Sequence, residues 1–386
     1  MTDLVVVSLE RWDEVWRRNQ YLIHELLGMD TDLRVLFVEP AVDPLYAMVK
    51  MHVRRRSGRG LHTITDPVSD GRLWGYEPTK LLPRRLDPRY DRRIARRIAG
   101  LTSRLGFHRP VLWINDPGGA WLAHETGWPA LYDITDDWLL AARDPAEHDR
   151  LVREEEYLLR HCAEVVVCSR ALQQAKGVSR SVTLIPNAVD LAEYQRPRLR
   201  PSDLPNGPVA LYLGTVHTDR MDLDLCMATA DALSGVGGLV LVGPVALTTA
   251  DRSRLTGHGV VLLGAKPRQE VPAYLQHADV LVVPHLVTPF TDSLDPIKLY
   301  EYRAVGRPVV ATPVAGFREQ ADGRVQLVRG PEFVRAVRAA LPASTRFPAG
   351  ADSSGATWGD RAVLMRDVIE RVRRAATPAP PDRRCG

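Results

Sequence analysis

Four cysteines in 386 residues are too few for a disulfide scaffold. Cys162, Cys168, Cys226 and Cys385 form no C-x-x-C pair and no zinc spacing with histidine, so free thiols in a reducing cytoplasm are expected. Long apolar runs are also missing. Stretches such as Leu239 to Val242 and Val280 to Val283 are strand-sized, far short of the roughly 20 residues that span a bilayer. Before Leu4 there is no basic leader, and no cleavage site follows, so no signal peptide is expected. Gly235-Val236-Gly237-Gly238 is not a G-x-G-x-x-G, which removes support for NAD binding. His24, His108, His124, His161, His217 and His277 are scattered without ligand spacing and read as surface or locally bonded groups. Without a recognition module or an aromatic ladder, nucleic acid is not an expected partner.

What is present is a globular composition, 45% hydrophobic and 25% charged, at a length that suits two domains. Net charge is only +4, but it is unevenly spread. Arg54-Arg55-Arg56 and the stretch 84–104 are basic, and the second carries Ile94, Ile98, Leu101 and Leu105 at helical spacing. One reading is a core-facing helix with a solvated basic face. The other is peripheral contact with anionic lipid at the inner face of the membrane, or with an anionic acceptor.

Short apolar runs alternate with amphipathic ones. Strands are expected at 4–8, 34–39, 111–115, 130–134, 165–168 and 182–185, with helices at 16–27, 84–104 and 150–161. Pro197, Pro201, Pro205 and Pro208 with Asn206-Gly207 mark a linker at 196–208. The alternation then restarts, with strands at 209–214, 239–243, 260–264, 280–284, 308–312 and 325–328 and a helix at 223–233. These strands are apolar throughout, as expected when helices cover both sheet faces. The pattern predicts an α/β chain of two tandem Rossmann-like, doubly wound parallel-sheet domains, at 1–195 and 209–355. A C-terminal helix at 356–375 is expected to cross back to the first domain, followed by a disordered tail at 376–386.

In open α/β sheets, ligands sit beyond the carboxyl ends of the strands. That rule selects Ser8 to Arg18, Asn115 to Gly119 and Asp133 to Trp138 in the first half. In the second it selects Gly214 to Asp222, Gly243-Pro244, Gly264-Ala265-Lys266 and Pro284 to Glu301. The most informative segment runs from Thr291 to Thr312. Asp295 is a good N-cap, Pro296 suits a first helical turn, and Gly306 suits the stop. The resulting helix puts Lys298 and Glu301 on one face, an ammonium for a diphosphate beside a carboxylate for a ribose diol. A surface ion pair is the alternative. Asp222-Leu223-Asp224 has the look of a metal motif, but it falls at a helix start, where Asp caps, so no metal requirement is expected.

The run Glu301 through Gly306-Arg307-Pro308-Val309-Val310-Ala311 resembles the donor-site helix and following strand of family 4 glycosyltransferases, which have the GT-B fold. Other landmarks follow in order. Ile185-Pro186-Asn187-Ala188-Val189-Asp190 resembles the family's I-P-N-G-V-D, and Leu211-Tyr212-Leu213-Gly214 opens the second domain. Leu263-Gly264, Val271 to Leu275, Ala278-Asp279-Val280 and Val283-Pro284 match the segment before the donor helix. The resemblance is strongest over residues 160–320. It implies a retaining transferase that moves a sugar from a UDP, GDP or dTDP donor to an acceptor hydroxyl in a cleft between the domains, without a cofactor. The acceptor class is open between a cell-envelope glycan and a secondary metabolite.

This sequence departs from the family pattern at specific places. Glu301 matches the second of two glutamates, but Ser293 stands at the first, with Asp292 and Asp295 as substitutes and Leu294 between them. Arg220 keeps one expected phosphate cation, whereas Thr215 replaces the other. Lys298 is a candidate to make up that charge, and a related subgroup shares its P-x-K-x-x-E-Y pattern. The first-domain loop Ser8-Leu9-Glu10-Arg11-Trp12 has no glycine, and Asn115 stands where some members carry histidine. The donor set implied is Gly214, Thr215, Arg220, Gly243, Lys266, Asp292, Ser293, Leu294, Asp295, Lys298 and Glu301. Arg220 and Lys298 are the candidates to stabilise the leaving diphosphate. Asp116, Asp136 and Asp137 are candidate catalytic carboxylates, and Trp12, Asn115, Asp133 and Trp138 lie on the acceptor side. For each of these aspartates the competing reading is helix capping or loop bonding. The missing Glu and Arg keep a silent sugar-nucleotide-binding partner in view, and the fold also admits a nucleotide-sugar 2-epimerase or a phosphorylase.

Overall fold

The computed structural model describes residues 2–44, 58–82, 84, 86–141, 143–319, 323–341 and 355–376. Arg54 to Arg56, Cys385 and the tail beyond 376 lie outside the described residues. Eight strands form the first sheet: β1 (Thr2–Val7), β2 (Leu33–Val38), β3 (Gly60–Thr63), β4 (Leu73–Glu77), β5 (Val111–Ile114), β6 (Ala130–Ile134), β7 (Glu164–Val167) and β8 (Thr183–Leu184). Their order is β3-β4-β2-β1-β5-β6-β7-β8. All pairs are parallel except β3 with β4. The second half adds β9 (Val209–Leu213), β10 (Val216–His217), β11 (Gly238–Val242), β12 (Val245–Ala246), β13 (Val261–Gly264), β14 (Val280–Val283), β15 (Val309–Ala311) and β16 (Val325–Leu327). Six of these form a parallel sheet in the order β13-β11-β9-β14-β15-β16, while β10 and β12 pair separately. The central strands β5, β9 and β14 are buried at every position, which explains their unbroken apolar sequences.

Four strands escape the sequence reading, the two-residue pair β10 and β12 and the edge strands β3 and β4. β3 and β4 hold glycine, histidine, tryptophan and glutamate rather than an apolar run. They form at the sheet edge because β2 offers a parallel partner, and because Gly75 leaves room for the His62 ring, where a Cβ would meet Nε2 at 2.4 Å. Helix boundaries also move. Helix α1 is Arg18–Met29, starting two residues later than expected, because the Gln20 side chain accepts the Arg17 N–H and caps the start there. That leaves Trp16 outside the helix, edge-on to Tyr21 at 5.3 Å. The basic helix α2 is Tyr90–Arg104; residues 86 to 89 precede it as turn and loop, and its Ile98 and Leu101 are buried. The helix expected from Arg150 starts at Pro145 instead, with the Asp144 carboxylate accepting the Ala146 N–H. In α3 (Leu223–Leu233), Asp222 caps as expected, accepting the Leu225 N–H at 2.9 Å, and Asp224 pairs with Arg254.

The segment after β16 ends in two helices. The second, α5 (Trp358–Ala375), packs on α1 of the first domain, while α4 (Ile297–Val305) lies between β14 and β15. Trp358 is fully buried and stacks on Tyr21 with ring centroids 4.6 Å apart. Burial of a side chain this large contributes about 2–3 kcal/mol. Arg371 pairs with Glu164 and Arg373 donates to the Thr2 hydroxyl, fixing the far end.

Candidate active site

Each sheet reverses its strand order once on either side of a central pair, β1/β5 in the first and β9/β14 in the second. A crevice forms where connections leave such a pair in opposite directions. The two crevices face each other and merge into one cleft of about 260 Å³. Its walls carry Leu9, Glu10 and Asn115 from the first switch point and Gly214, Thr215 and Lys298 from the second.

The domains are held together around this cleft by bonds from one sheet's loops to the other's. Asn187 donates its backbone N–H to Asp295 Oδ2 at 2.6 Å and its side-chain amide to the Asp295 carbonyl. Ser169 Oγ donates to the Ser293 carbonyl, and Asp137 donates its N–H to Ser293 Oγ. Arg268, from the loop after β13, lies 3.8 Å from the Trp16 ring centroid and donates its N–H to the Glu14 carbonyl. Stacking of a guanidinium on an indole contributes about 0.5–2 kcal/mol.

The floor is made by two glycines. Gly214 has φ 140° and Gly243 has φ 139°, both in the region that favours glycine. A Cβ on Gly243 would lie 2.2 Å from the Gly214 carbonyl oxygen, and one on Gly214 would lie 2.9 Å from Lys298 Nζ. The strand-end loops therefore touch through bare backbone, and Lys298 reaches directly over them. The pairing of β10 with β12 ties the same two loops together.

Helix α4 supplies the donor face. The sequence reading placed Asp295 as its N-cap, and the structure corrects this. Pro296 is the cap and Ile297 the first helical residue, because the Asp295 carboxylate is taken by Asn187 and by the Tyr300 hydroxyl at 2.9 Å. Burial raises Asp295 to about 6 against those bonds and the Arg18 and Arg361 charges. Gly306 ends the helix with φ 66°, as expected. Lys298 donates to the Tyr212 hydroxyl at 2.8 Å and lies 3.3 Å from His285 Nε2. Desolvation, with Arg220 adding to it, lowers Lys298 to about 7, and Glu301 opposes. His285 is buried and pushed well below its ordinary value, so it stands neutral beside the ammonium. Glu301 accepts from the Tyr194 hydroxyl at 2.5 Å, and burial raises its pKa. Lys298 and Glu301 thus share one face but do not pair; each turns to its own tyrosine.

Arg220 lies just behind the lining. Its loop is pinned to the end of β14 by Leu286 N–H to the Arg220 carbonyl and Asp222 N–H to the Pro284 carbonyl. Its Nε meets Asp219 at 3.3 Å, and its field lowers Lys298 and Asp136 alike. Lys266 lines the cleft while pairing with Asp203. Leu294 lines it too. Asp292 and Ser293 do not. Asp292 is paired with Arg318 and takes the Ala315 N–H, and Ser293 is the inter-domain latch already described. The position where a first glutamate would stand therefore serves the junction between domains.

Four first-domain aspartates separate by partner. Asp116 accepts the Gly118 N–H and caps a short 3-10 turn. Asp133 is fully buried, held by Arg18 at 3.3 Å, Trp113 Nε1 and Asn115 Nδ2. Removing one partner of such a buried pair costs about 3–5 kcal/mol. Asp137 pairs with Lys176 at 3.0 Å, which also holds Glu155. Asp136 differs: it lines the cleft, and its carboxylate has no hydrogen-bond or ion-pair partner among the described residues. Desolvation raises it to about 6, with the Arg220 charge opposing. Trp138 and Asn115 line the cleft, whereas Trp12 packs edge-on against Phe37 at 5.2 Å, behind the wall.

Glu10, Asn19, Arg268, Tyr212 and His285 were not singled out from sequence. Glu10 lay inside a stretch that the strand-end rule had selected, and Asn19 just beyond it. Nothing local marks Arg268, whose partner Trp16 is far away in sequence. Among the described residues no three His, Cys, Asp or Glu side chains converge as metal ligands, and no helix is long and apolar enough to cross a membrane.

Residues 207–342 match the family profile described as Glycosyl transferases group 1. A Bacillus subtilis (strain 168) glycosyltransferase named for teichuronic acid biosynthesis is 26% identical over 222 residues, which cover 53% of this chain and 55% of that one. The chain thus spans about half the length of this curated relative. Solved structures share the fold over nearly the whole chain. A UDP-forming α,α-trehalose-phosphate synthase from Burkholderia vietnamiensis superposes with TM-score 0.67 at 12% identity, covering 97% of this chain and 100% of that one. HepE of Anabaena, solved with UDP-glucose, gives 0.59 at 14% identity, covering 97% and 98%. The fold is GT-B.

Proposed function

We propose that this GT-B chain, with a second domain matching group 1 glycosyl transferases, moves a sugar from a nucleotide-diphosphate sugar to an acceptor hydroxyl with retention of configuration. One observation carries the reading. Helix α4 presents its N-terminal turn, Lys298 and Glu301 together to a cleft floored by Gly214 and Gly243. A helix start with a cation beside it suits a diphosphate, and a carboxylate one turn on suits a ribose diol. Arg220 and Lys298 supply the positive charge that a departing diphosphate needs, so turnover is proposed to need no metal. Asp136, which lines the cleft without a partner among the described residues, is placed to orient or deprotonate the acceptor hydroxyl. UDP is the first donor base to try, since HepE was solved with UDP-glucose and the trehalose-phosphate synthase is UDP-forming. The teichuronic relative favours a cell-envelope acceptor over a secondary metabolite.

The direct test is nucleoside-diphosphate release from UDP-, GDP- and dTDP-sugars, assayed with a chelator present. Proton NMR of the product then reads the anomeric configuration. Donor-dependent transfer with retention supports the proposal. Binding without turnover for every acceptor favours a silent partner, and an inverted product removes the retaining assignment. Glu301→Gln keeps an acceptor for Tyr194 but loses the charge. It is expected to weaken donor binding about tenfold or more by calorimetry; unchanged affinity would sink the ribose assignment.

We also propose that the enzyme works in the cytoplasm, against the inner face of the membrane. Arg89, Arg96, Arg97 and Arg104 on or beside α2 have no carboxylate partner among the described residues, whereas Arg92 and Arg93 are paired. Leu81, Leu82 and Leu86 stand exposed just before this helix, at 62%, 42% and 71%. Each basic residue near an anionic surface contributes about 1 kcal/mol. Flotation with phosphatidylglycerol vesicles is expected to carry the protein at low salt. Replacing Arg96 and Arg97 by Glu should leave it in solution, and equal binding to neutral vesicles would count against the idea.

A further inference from the structure

The first-domain wall of the cleft offers more hydrogen-bond acceptors than the protein can satisfy. Asn115 commits its Nδ2 to the Asp133 carbonyl and to Asp133 Oδ2, both at 3.1 Å. That fixes the amide, and its Oδ1 is buried with no hydrogen bond among the described residues. Asn19 repeats the arrangement. Its Nδ2 donates to Ser8 Oγ at 3.3 Å, and its Oδ1 is buried without a partner among the described residues. Both residues line the cleft, as does the unpaired Asp136. An unsatisfied buried acceptor costs about 1–3 kcal/mol, so two of them beside a free carboxylate mark a surface that a ligand completes by bringing donors. Trp138 Nε1 is the orphan donor on the same wall.

The wall's own cations are already engaged. Arg17 holds Glu10 at 2.8 Å and Asp13 at 3.4 Å. Arg18 holds Asp133 and donates to Asn187 Oδ1. Desolvation raises both Glu10 and Asp136, which means that the negative charge on this wall is already held at a cost. A second anion placed here would find Arg17 and Arg18 already engaged and would meet the like charge of Glu10 and Asp136.

We infer that the acceptor subsite takes an uncharged polyhydroxyl group, a neutral sugar or polyol whose hydroxyls donate to Asn19, Asn115 and Asp136, and that it rejects phosphorylated and carboxylated sugars. This rests on the transferase reading above, and the test keeps the two apart. Full-length protein is first loaded with UDP, and UDP binding is measured by calorimetry in the same sample. Glucose, galactose and mannose are then titrated beside their 6-phosphates and uronates at pH 8, with saturation-transfer NMR as the readout. Neutral members are expected to bind at about 10 mM or better, and at least about tenfold more tightly than their anionic counterparts. Asn115→Leu and Asn19→Leu are each expected to reduce that binding about tenfold while leaving UDP affinity in place. An anionic sugar that binds as well as its neutral parent overturns the inference. So does UDP-loaded protein that binds no neutral sugar. Failure to bind UDP at all counts against the transferase reading instead.

Discussion

Lys298→Met is expected to weaken nucleoside-diphosphate binding about a hundredfold and yet to raise the temperature at which the protein unfolds. The amine sits within a cage of Tyr212, His285 and Gly214, with Arg220 nearby and no carboxylate in contact among the described residues. A cation so placed is a cost to the empty protein and an asset once a diphosphate arrives. Folded, Lys298 titrates near 7; unfolded, a lysine titrates near 10.4. Between those values the unfolded chain holds the extra proton, so Lys298 makes stability rise with pH across that window. The gain from Lys298→Met is therefore largest below pH 7, on the order of 2–4 kcal/mol, and fades as pH approaches 10. Thermal unfolding of both proteins from pH 6 to pH 10 checks this. Binding runs the other way. Above pH 7 the empty site must take up a proton to meet the diphosphate, so affinity should fall by up to about tenfold per pH unit. A variant that is less stable at pH 6, or wild-type UDP affinity flat between pH 6.5 and 9, would show that Lys298 is not the diphosphate cation.

Asp136→Asn should cut turnover about 10²- to 10⁴-fold, the range for loss of a general base, while changing donor affinity little. The first-domain aspartates contrast in what holds them. Asp116 is committed to a turn, Asp133 to Arg18 and Asp137 to Lys176, while the Asp136 carboxylate is unpaired and raised to about 6. A carboxylate raised in this way is ionised at pH 7 and basic enough to take a proton. The wild-type rate is expected to fall on acidification through about 6, and that limb should vanish in Asp136→Asn. Equal turnover in the two proteins would leave the acceptor hydroxyl without a protein base.

Much of this was legible from local chemistry. Apolar strands such as Val209–Leu213 announce a sheet covered on both sides, and the proline-rich stretch before them announces a break. The segment Pro296 to Gly306 declares a helix, and Lys298 with Glu301 its polar face. Edge strands β3 and β4 were not legible, because their partner rather than their own sequence makes them strands. Nor was the fate of Asp295 and Ser293. Both looked free to cap or to bind sugar, and both are consumed by the opposite domain, through Asn187, Asp137 and Ser169.

Periodicity, caps and breakers act within a few residues, so the two α/β halves, the switch-point loops and the helix that faces the donor are written into local sequence. Which of several equivalent side chains remain available depends on the folded chain as a whole. Partners far apart in sequence claim Asp133, Asp137, Asp292 and Asp295 and leave Asp136, Asn19 and Asn115 with unmet hydrogen-bonding capacity. An aspartate's chemistry is the same at each of these positions. Its role is set by the groups that the fold brings within hydrogen-bonding distance of it.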